Sequence, residues 1–237
     1  MNYPNLKELI VDNCCLKTVY IDNCPQLERI YLRNNKLISI WINYCPLLKD
    51  LFLNDNRLTE ITEFDLYEVP NLETLVINNN CLEKLRVKHL KKLKNLWCFN
   101  NCLKKLNVSN LTELEDLNCN INSLEKIKTN GAINIKYLEA DMNNILDQNS
   151  INFNHLDKLE MISLRYNSKK IVEINEILED SLKLKENIQI EKLILFLNSS
   201  FLTHVDIKFS DVKEIVYGSN KPDFAKLRVI DDTDEEG

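Results

Sequence analysis

Apolar residues recur along this chain in one pattern that repeats at a fixed interval. The eleven-residue segment that begins at Leu27 has Leu or Ile at its first, fourth, sixth and eleventh positions and Asn at its ninth. The segment that begins at Leu48 repeats this arrangement 21 residues later. Self-similarity at such a period is typical of a solenoid, in which each repeat forms one turn. The segment starts eight times, at steps of 21 or 24 residues: Leu6, Leu27, Leu48, Leu72, Leu93, Leu114, Ile135 and Leu159.

Each copy of the segment predicts one short strand. Successive side chains of a strand point to opposite sides, so the apolar fourth and sixth positions enter the core and the fifth faces outward. A second set of regularly spaced apolar residues, such as Leu16, Val19 and Ile21, predicts an extended segment on the other side of the turn. The closing Asn, replaced by Cys14 in the first copy, can satisfy backbone groups where the chain leaves the sheet. It recurs as Asn35, Asn56, Asn80, Asn101, Asn122, Asn143, Asn167, Asn198 and Asn220.

The pattern weakens after residue 170. Apolar residues between Ile171 and Asn187 follow a helical i, i+3, i+4 spacing and predict one amphipathic helix near 171–187. Two degenerate copies begin at Ile190 and Val212, and residues 224–229 predict a last edge strand. Five acidic residues in the tail, 231–237, favour a disordered segment that discourages strand pairing at this edge.

The motif L-x-x-L-x-L-x-x-N-x-L resembles the leucine-rich-repeat family over residues 3 to 230. The 21-residue period is similar to the short repeats of bacterial surface antigens. The resemblance implies an α/β repeat fold, mostly β: a curved solenoid of about ten turns with a parallel concave sheet and an extended convex side. We expect a single domain over 1–230, with regular turns in 6–170 and degenerate turns and a cap in 171–230.

The resemblance also carries an expectation about function. Related chains in bacteria, protozoa and large DNA viruses often engage host proteins. It therefore implies a scaffold that binds a protein partner, with a pathogen or viral protein that engages a host factor as one form of that role.

Composition and charge narrow the class of protein. Hydrophobic residues make up 44% and charged residues 28% of the chain, as in soluble proteins with a sizeable core. The acidic tail supplies five of the six net negative charges, and the nearly neutral body disfavours nucleic-acid binding. There is no basic and apolar leader and no apolar run of about 18 residues. We expect a cytoplasmic protein without membrane contact, located in the host cytosol if it comes from a pathogen or virus.

Residues that carry catalysis are sparse. Only three Gly occur, and no Gly-rich phosphate-binding loop or metalloprotease motif is found. His89, His155 and His204 fall in different turns, outside the predicted strands. We therefore expect no enzyme, no cofactor, no metal site and no small-molecule substrate.

The eight Cys residues fall mainly at equivalent positions of neighbouring turns. Without a secretory leader they predict free thiols that act as small buried hydrophobic residues. A metal site is one alternative, and oxidation of Cys81 with Cys102 on adjacent strands is another. The equivalent sets are Cys98 with Cys119, Cys24 with Cys45, and Cys15 with Cys81 and Cys102.

The outward fifth positions predict the binding surface, because they are apolar or aromatic in the first five turns. Stacking merges them into one patch, and an aromatic patch with a polar rim is typical of protein interfaces. The alternative is the ordinary preference of strands for such residues. The fifth positions are Ile10, Tyr31, Phe52, Val76, Trp97, Asn118, Glu139, Ser163, Ile194 and Val216. The predicted partner-binding residues are Ile10, Arg29, Tyr31, Arg33, Phe52, Asn54, Val76, Asn78, Trp97 and Phe99.

Three other features leave alternatives open. The basic run from Lys84 to Lys105 predicts a solvated convex face, or contact with an acidic partner, an anionic membrane surface or nonspecific nucleic acid. Tyr20 and Trp41, outward on the convex side, form either a minor contact site or simple packing. The first turn has no recognisable polar cap, which predicts an apolar edge that meets a partner or a second copy. The competing function is therefore a structural or regulatory subunit that forms a homodimer or obligate complex through this edge.

Overall fold

A computed structural model describes residues 3–63, 65–145, 151, 156–163 and 167, and the strand backbone at 192–195, 205–207, 214–217 and 227–229. The regular secondary structure of these residues consists entirely of β-strands. The predicted helix at 171–187 and the predicted acidic tail at 231–237 lie outside the described residues.

One parallel sheet of ten strands runs along the chain in sequence order, because each turn lies beside the next. Paired residues occupy the same motif position, as in the pairs Glu8–Arg29 and Leu9–Ile30. The predicted first strand of each copy is therefore confirmed. Numbered in chain order, the strands are β1 (Glu8–Ile10), β3 (Arg29–Tyr31), β5 (Asp50–Phe52), β7 (Thr74–Val76), β9 (Asn95–Trp97), β11 (Asp116–Asn118), β13 (Tyr137–Glu139), β14 (Met161–Ser163), β15 (Lys192–Leu195) and β17 (Glu214–Tyr217).

The second half of the turns forms four smaller parallel sheets of two strands each. They are β2 (Thr18–Asp22) with β4 (Ser39–Asn43), β6 (Glu60–Ile61) with β8 (Lys84–Leu85), β10 (Lys105–Asn107) with β12 (Lys126–Lys128), and β16 (Val205–Ile207) with β18 (Leu227–Val229). The last strand, predicted within 224–229, thus pairs with β16. The mostly-β solenoid is confirmed. About seven complete turns can be followed rather than ten, because few residues beyond 145 are described apart from the strands.

The core lies between the large sheet and the second half of each turn. The inward residues Leu27, Ile30 and Leu32 are fully buried, and each such side chain contributes roughly 1.5–3 kcal/mol on leaving water. Their counterparts in the first turn, Leu6, Leu9 and Val11, are only partly buried.

A ladder of buried Asn side chains joins the turns where the chain leaves the large sheet. Asn56 Nδ2 donates to the carbonyls of Leu32, at 2.9 Å, and Leu53, at 3.0 Å. Its Oδ1 accepts from the backbone amide of Leu37 at 3.0 Å. The predicted role of this Asn is therefore confirmed, although Asn198 and Asn220 lie outside the described residues. The same contacts to the preceding turn recur at Asn35, Asn80, Asn101, Asn122 and Asn143.

The residue just before this position, which is Asn in every turn but the first, has a positive φ in seven successive turns. Asn and Asp tolerate the left-handed region better than other side chains do, and they occupy five of the seven positions. Ile121 and Met142 are the exceptions. The full set is Asn13, Asn34, Asp55, Asn79, Asn100, Ile121 and Met142.

Charged side chains alternate in sign along the edge of the large sheet, at the second position of the motif. Lys94 Nζ lies 2.8 Å from Glu73 Oε2, and Lys136 Nζ lies 2.8 Å from Glu115 Oε2. Exposed pairs of this kind stabilise little, but the omission of one turn would place like charges side by side. The alternation therefore favours stacking in the native order. The series is Lys7, Glu28, Lys49, Glu73, Lys94, Glu115, Lys136 and Glu160.

Candidate protein-binding surface

The outward side chains of the ten-stranded sheet form one surface, here called the sheet face, which corresponds to the predicted concave face. The register of the strands brings the first five fifth-position residues into one row: Ile10, Tyr31, Phe52, Val76 and Trp97. Ile10 is 61% exposed and Trp97 is 41% exposed. Tyr31 and Phe52 are half-buried between them.

Val76 and Asn78 differ from the other members of the predicted patch, since their exposed fractions are 5% and 6%. Val76 lies between the larger Phe52 and Trp97 on adjacent strands about 4.8 Å away, so its short side chain is covered. Both residues lie where the sequence predicts, but they offer little surface to a partner. Their low exposure makes them the least accessible members of the predicted patch.

Tyr31 and Phe52 stack face to face. Their ring centroids are 4.8 Å apart, and the ring planes differ by 3°. The guanidinium carbon of Arg33 lies 5.1 Å from the centroid of Tyr31 and 6.0 Å from that of Phe52. Because the negative face of an aromatic ring attracts a cation, this arrangement stabilises Arg33 over the two rings.

Asp12 holds Arg33 in this position. Arg33 Nε donates to Asp12 Oδ2 at 2.8 Å, and the backbone amide of Arg33 donates to Asp12 Oδ1 at 2.7 Å. The hydrogen bond to Asp12 raises the pKa of Arg33 despite some desolvation. Arg29 is held in the same manner, because its Nε donates to Glu8 Oε1 at 2.8 Å. Both predicted rim arginines are thus oriented by a carboxylate of the preceding turn.

Trp97 contacts an acid that the sequence analysis did not single out. Its Nε1 donates to Asp116 Oδ2 at 2.9 Å. Burial raises the pKa of Asp116, and the hydrogen bond from Trp97 lowers it by less. The two residues are 19 positions apart, and Asp116 occupies the third position of its turn, on the same side of the strand as the fifth. This shared side was the signal that could have predicted the contact.

The remaining predicted contact residues sit beside this row. Phe99 and Asn54 are half-buried. Asn54 Nδ2 donates to Asp55 Oδ2 at 2.7 Å, so its amide is already engaged within the chain.

Beyond Trp97 the sheet face becomes polar and acidic. Asn118 and Glu139 continue the row, and Glu139 Oε2 accepts from Asn120 Nδ2 at 2.9 Å. Ser163 follows, nearly fully buried, and its hydroxyl donates to Asp141 Oδ1 at 2.6 Å. Among the described side chains, the sheet face therefore has an aromatic section in the first five turns and an acidic section in the next three.

Acids of neighbouring turns form ion pairs with four residues of the basic run, Lys84, Arg86, Lys92 and Lys94. Arg86 Nη1 lies 3.2 Å from Glu63 Oε1, and Lys92 Nζ lies 2.6 Å from Glu113 Oε1. Arg86 also lines an open cleft of about 490 Å³ beside His89. His89 Nε2 lies 3.0 Å from the Leu66 carbonyl, so the ring is engaged by the backbone. This pairing favours a solvated charged face.

Tyr20 and Trp41 form a second aromatic pair, on the smaller sheets and away from the sheet face. Their ring centroids are 5.1 Å apart with planes at 89°, and the residues are 49% and 48% exposed. Edge-to-face packing of two neighbouring strands accounts for the contact.

The cysteines are free thiols in two environments. The prediction of burial is correct for Cys24, Cys45, Cys98 and Cys119, and wrong for Cys14, Cys15, Cys81 and Cys102, which are exposed. The exposed set lies at the corner around the Asn position, where side chains leave the core. Within the described part of the chain, no group of three or more His, Cys, Asp or Glu residues could hold a metal ion. Over the same residues, no helix is long and apolar enough to cross a membrane.

Comparison with known proteins identifies the fold. No protein-family model matches the sequence, and no curated protein matches it. The functional domain of InlJ from Listeria monocytogenes, which includes a cysteine ladder, is similar with a TM-score of 0.69 and 23% identity, over 96% of this chain and 46% of that chain. A chain of the Drosophila Toll–Spatzle complex is similar with a TM-score of 0.61 and 24% identity, over 90% of this chain and 32% of that one.

A leucine-rich-repeat protein of Leptospira interrogans is also similar, with a TM-score of 0.51 and 19% identity, over 87% of this chain and 64% of that chain. This chain spans less than half the length of the InlJ and Toll–Spatzle chains. The chain has the leucine-rich-repeat fold.

Proposed function

We propose that this solenoid is a non-enzymatic scaffold that holds a protein partner on its sheet face. The observation that carries the proposal is the Tyr31–Phe52 stack with Arg33 over it. Tyr, Phe, Trp and Arg concentrate binding energy at protein interfaces. Asp12 already fixes Arg33, so this group loses little side-chain freedom when a partner binds.

The exposed ends of the aromatic row favour the same role. Ile10 and Trp97 present the most surface, and the half-buried rings of Tyr31 and Phe52 lie between them. A partner that spans these strands covers apolar area contributed by several turns. A single hydrophobic residue on the surface does not provide such an area.

Neighbouring structures support the proposal in general terms. One of them is a chain of the complex between Toll and Spatzle, and another is the functional domain of a Listeria protein. Since the repeats also resemble those of bacterial surface antigens, we propose a host protein as the class of partner.

The test is affinity capture from a cell lysate with three forms of the chain. They are the native sequence, the triple variant Tyr31→Ala, Phe52→Ala, Trp97→Ala, and the control variant Tyr20→Ala, Trp41→Ala. The control removes an aromatic pair of similar exposure from the other side of the turns. Circular dichroism is used to check that each form is folded.

The proposal expects a partner that is captured by the native chain and the control but lost from the triple variant. Retention of the same partners by the triple variant would overturn it, because the aromatic row would then reflect strand preference alone.

A second candidate is assembly through the edge of the first turn. Leu6, Leu9 and Val11 are only partly buried there, whereas Leu27, Ile30 and Leu32 of the next turn are fully buried. Burial of that edge against a second copy would remove apolar surface from water. Light scattering across a concentration series tests this candidate: a dimer supports it, and a monomer at every concentration rejects it.

A further inference from the structure

Within the described residues, the sheet face contains one complete cluster of aromatic ring, cation and carboxylate. In that cluster the rings are Tyr31 and Phe52, the cation is Arg33 and the carboxylate is Asp12. The carboxylate orients the guanidinium, and the faces of the two rings attract the guanidinium charge. All three kinds of group come from this chain.

A second cluster on the same face has the ring and the carboxylate but not the cation. Trp97 and Asp116 lie 2.9 Å apart, from the indole Nε1 to Oδ2. Trp97 is 41% exposed. Among residues 3–63, 65–145 and 156–163, no cation lies over the Trp97 ring, and no Lys or Arg forms an ion pair with Asp116.

The described lysines near Trp97 and Asp116 form ion pairs with other carboxylates. Lys94 pairs with Glu73, and Lys136 pairs with Glu115, both at 2.8 Å. Glu139, in the row beyond Trp97, accepts from the neutral amide of Asn120. Asp116 and Glu139 therefore accept from neutral donors, where a cation would bind more strongly.

Asp116 is half-buried. Burial raises the pKa of its carboxyl, because the negative charge is partly removed from water. A cation placed beside this carboxylate would recover that lost solvation, and the adjacent indole face would attract the same cation. Arginine fits both groups, because its planar guanidinium stacks on a ring and donates to a carboxylate at once.

We infer that Trp97 and Asp116 form a subsite for an arginine side chain of the bound protein. The partner supplies there the cation that Arg33 supplies at the first cluster. This inference rests on the proposed function and adds the chemistry of the partner: a segment with an arginine, placed beside apolar residues that cover Tyr31 and Phe52.

The test measures binding of short peptides to the full chain by the NMR signal of the Trp97 indole N–H. The probe is the peptide acetyl-Gly-Arg-Gly-amide, and its matched control replaces arginine with citrulline, which is neutral and of nearly the same shape. The protein variants are Asp116→Asn and, as a control, Asp50→Asn, which makes the same change at the same third motif position, in strand β5. The signal of Trp97 is assigned with a Trp41→Phe variant.

The arginine peptide is expected to shift the Trp97 signal and to bind about five to ten times more tightly than the citrulline peptide, as expected for a charge-assisted contact. Asp116→Asn should weaken its binding by a similar factor, and Asp50→Asn should leave it unchanged. Equal binding of the two peptides, no binding at all, or no effect of Asp116→Asn would each overturn the inference. These outcomes are separate from the capture experiment, in which failure of the proposed function appears as retention of partners by the triple variant.

Discussion

The side-chain oxygen of Asn56 accepts a hydrogen bond from the backbone amide of Leu37, 3.0 Å away in the preceding turn. The same carboxamide donates to the carbonyls of Leu32 and Leu53. Asn56 is 8% exposed, so water cannot easily replace these contacts. One side chain therefore satisfies buried backbone groups of two turns.

Replacement of Asn56 with Ala should lower the free energy of unfolding by about 2–4 kcal/mol, because it leaves buried backbone donors and acceptors without partners. Urea unfolding measured by circular dichroism gives the change. Asn54→Ala is the matched control, since the Asn54 amide bonds only to the side chain of Asp55 among the described contacts. Equal losses for the two variants would show that the ladder contact is not the cause.

Ile121 occupies a left-handed corner where five equivalent residues are Asn or Asp. Its φ is 52° and its side chain is 43% exposed. Ile121→Asn should therefore stabilise the protein by roughly 1 kcal/mol, because the strain of a β-branched residue at positive φ is removed at little loss of burial. Thermal unfolding measures the gain. Ile133→Asn, at a similarly exposed Ile outside the positive-φ set, should show no gain.

Thiol reactivity should separate the eight cysteines into two groups of four. Burial raises the pKa of Cys45 to about 11 and that of Cys98 to about 12, so thiolate is scarce at pH 8. Burial also raises the pKa of Cys119. Iodoacetamide at pH 8, followed by mass spectrometry, should modify Cys14, Cys15, Cys81 and Cys102 first. Comparable rates at Cys98 and Cys81 in the folded protein would contradict the burial, and urea should make all eight reactive.

The Trp97–Asp116 contact should make tryptophan fluorescence depend on pH. Burial raises the pKa of Asp116 above the usual 3.8 of an aspartate, so the proton binds at a higher pH than it would in the unfolded chain. As the pH falls through this raised pKa, the carboxylate becomes neutral and its bond to the indole weakens. Because the ionised form is the one that burial penalises, the contribution of Asp116 to stability falls as the pH rises through the same range.

The measurement uses a Trp41→Phe background, which leaves Trp97 as the single tryptophan. The transition should have a midpoint above 3.8 and should disappear in Asp116→Asn. A midpoint at or below 3.8 would argue against the buried state of the carboxylate.

Much of the fold could be read from residues at fixed spacing. Leu27, Ile30 and Leu32 predicted a buried stripe, and Asn56 predicted a contact to the backbone; both are present. The sign alternation of Lys94, Glu115 and Lys136 was equally visible in the sequence, but its meaning required knowledge that these residues are neighbours across turns.

The candidate surface was predicted less completely. Tyr31 and Phe52 were expected to share a face, and they do. The burial of Val76, the position of Arg33 over two rings and the bond from Trp97 to Asp116 were not foreseen. Each depends on the size and direction of side chains in adjacent turns, which a position within one repeat does not specify.

By itself, the sequence determined the solenoid, because a constant repeat length places equivalent residues beside one another and gives every turn the same inward and outward positions. Only the tertiary structure decided which outward residues are available to a partner. Val76 is covered and Trp97 is exposed at the same motif position, because exposure there is set by the neighbours on the flanking strands.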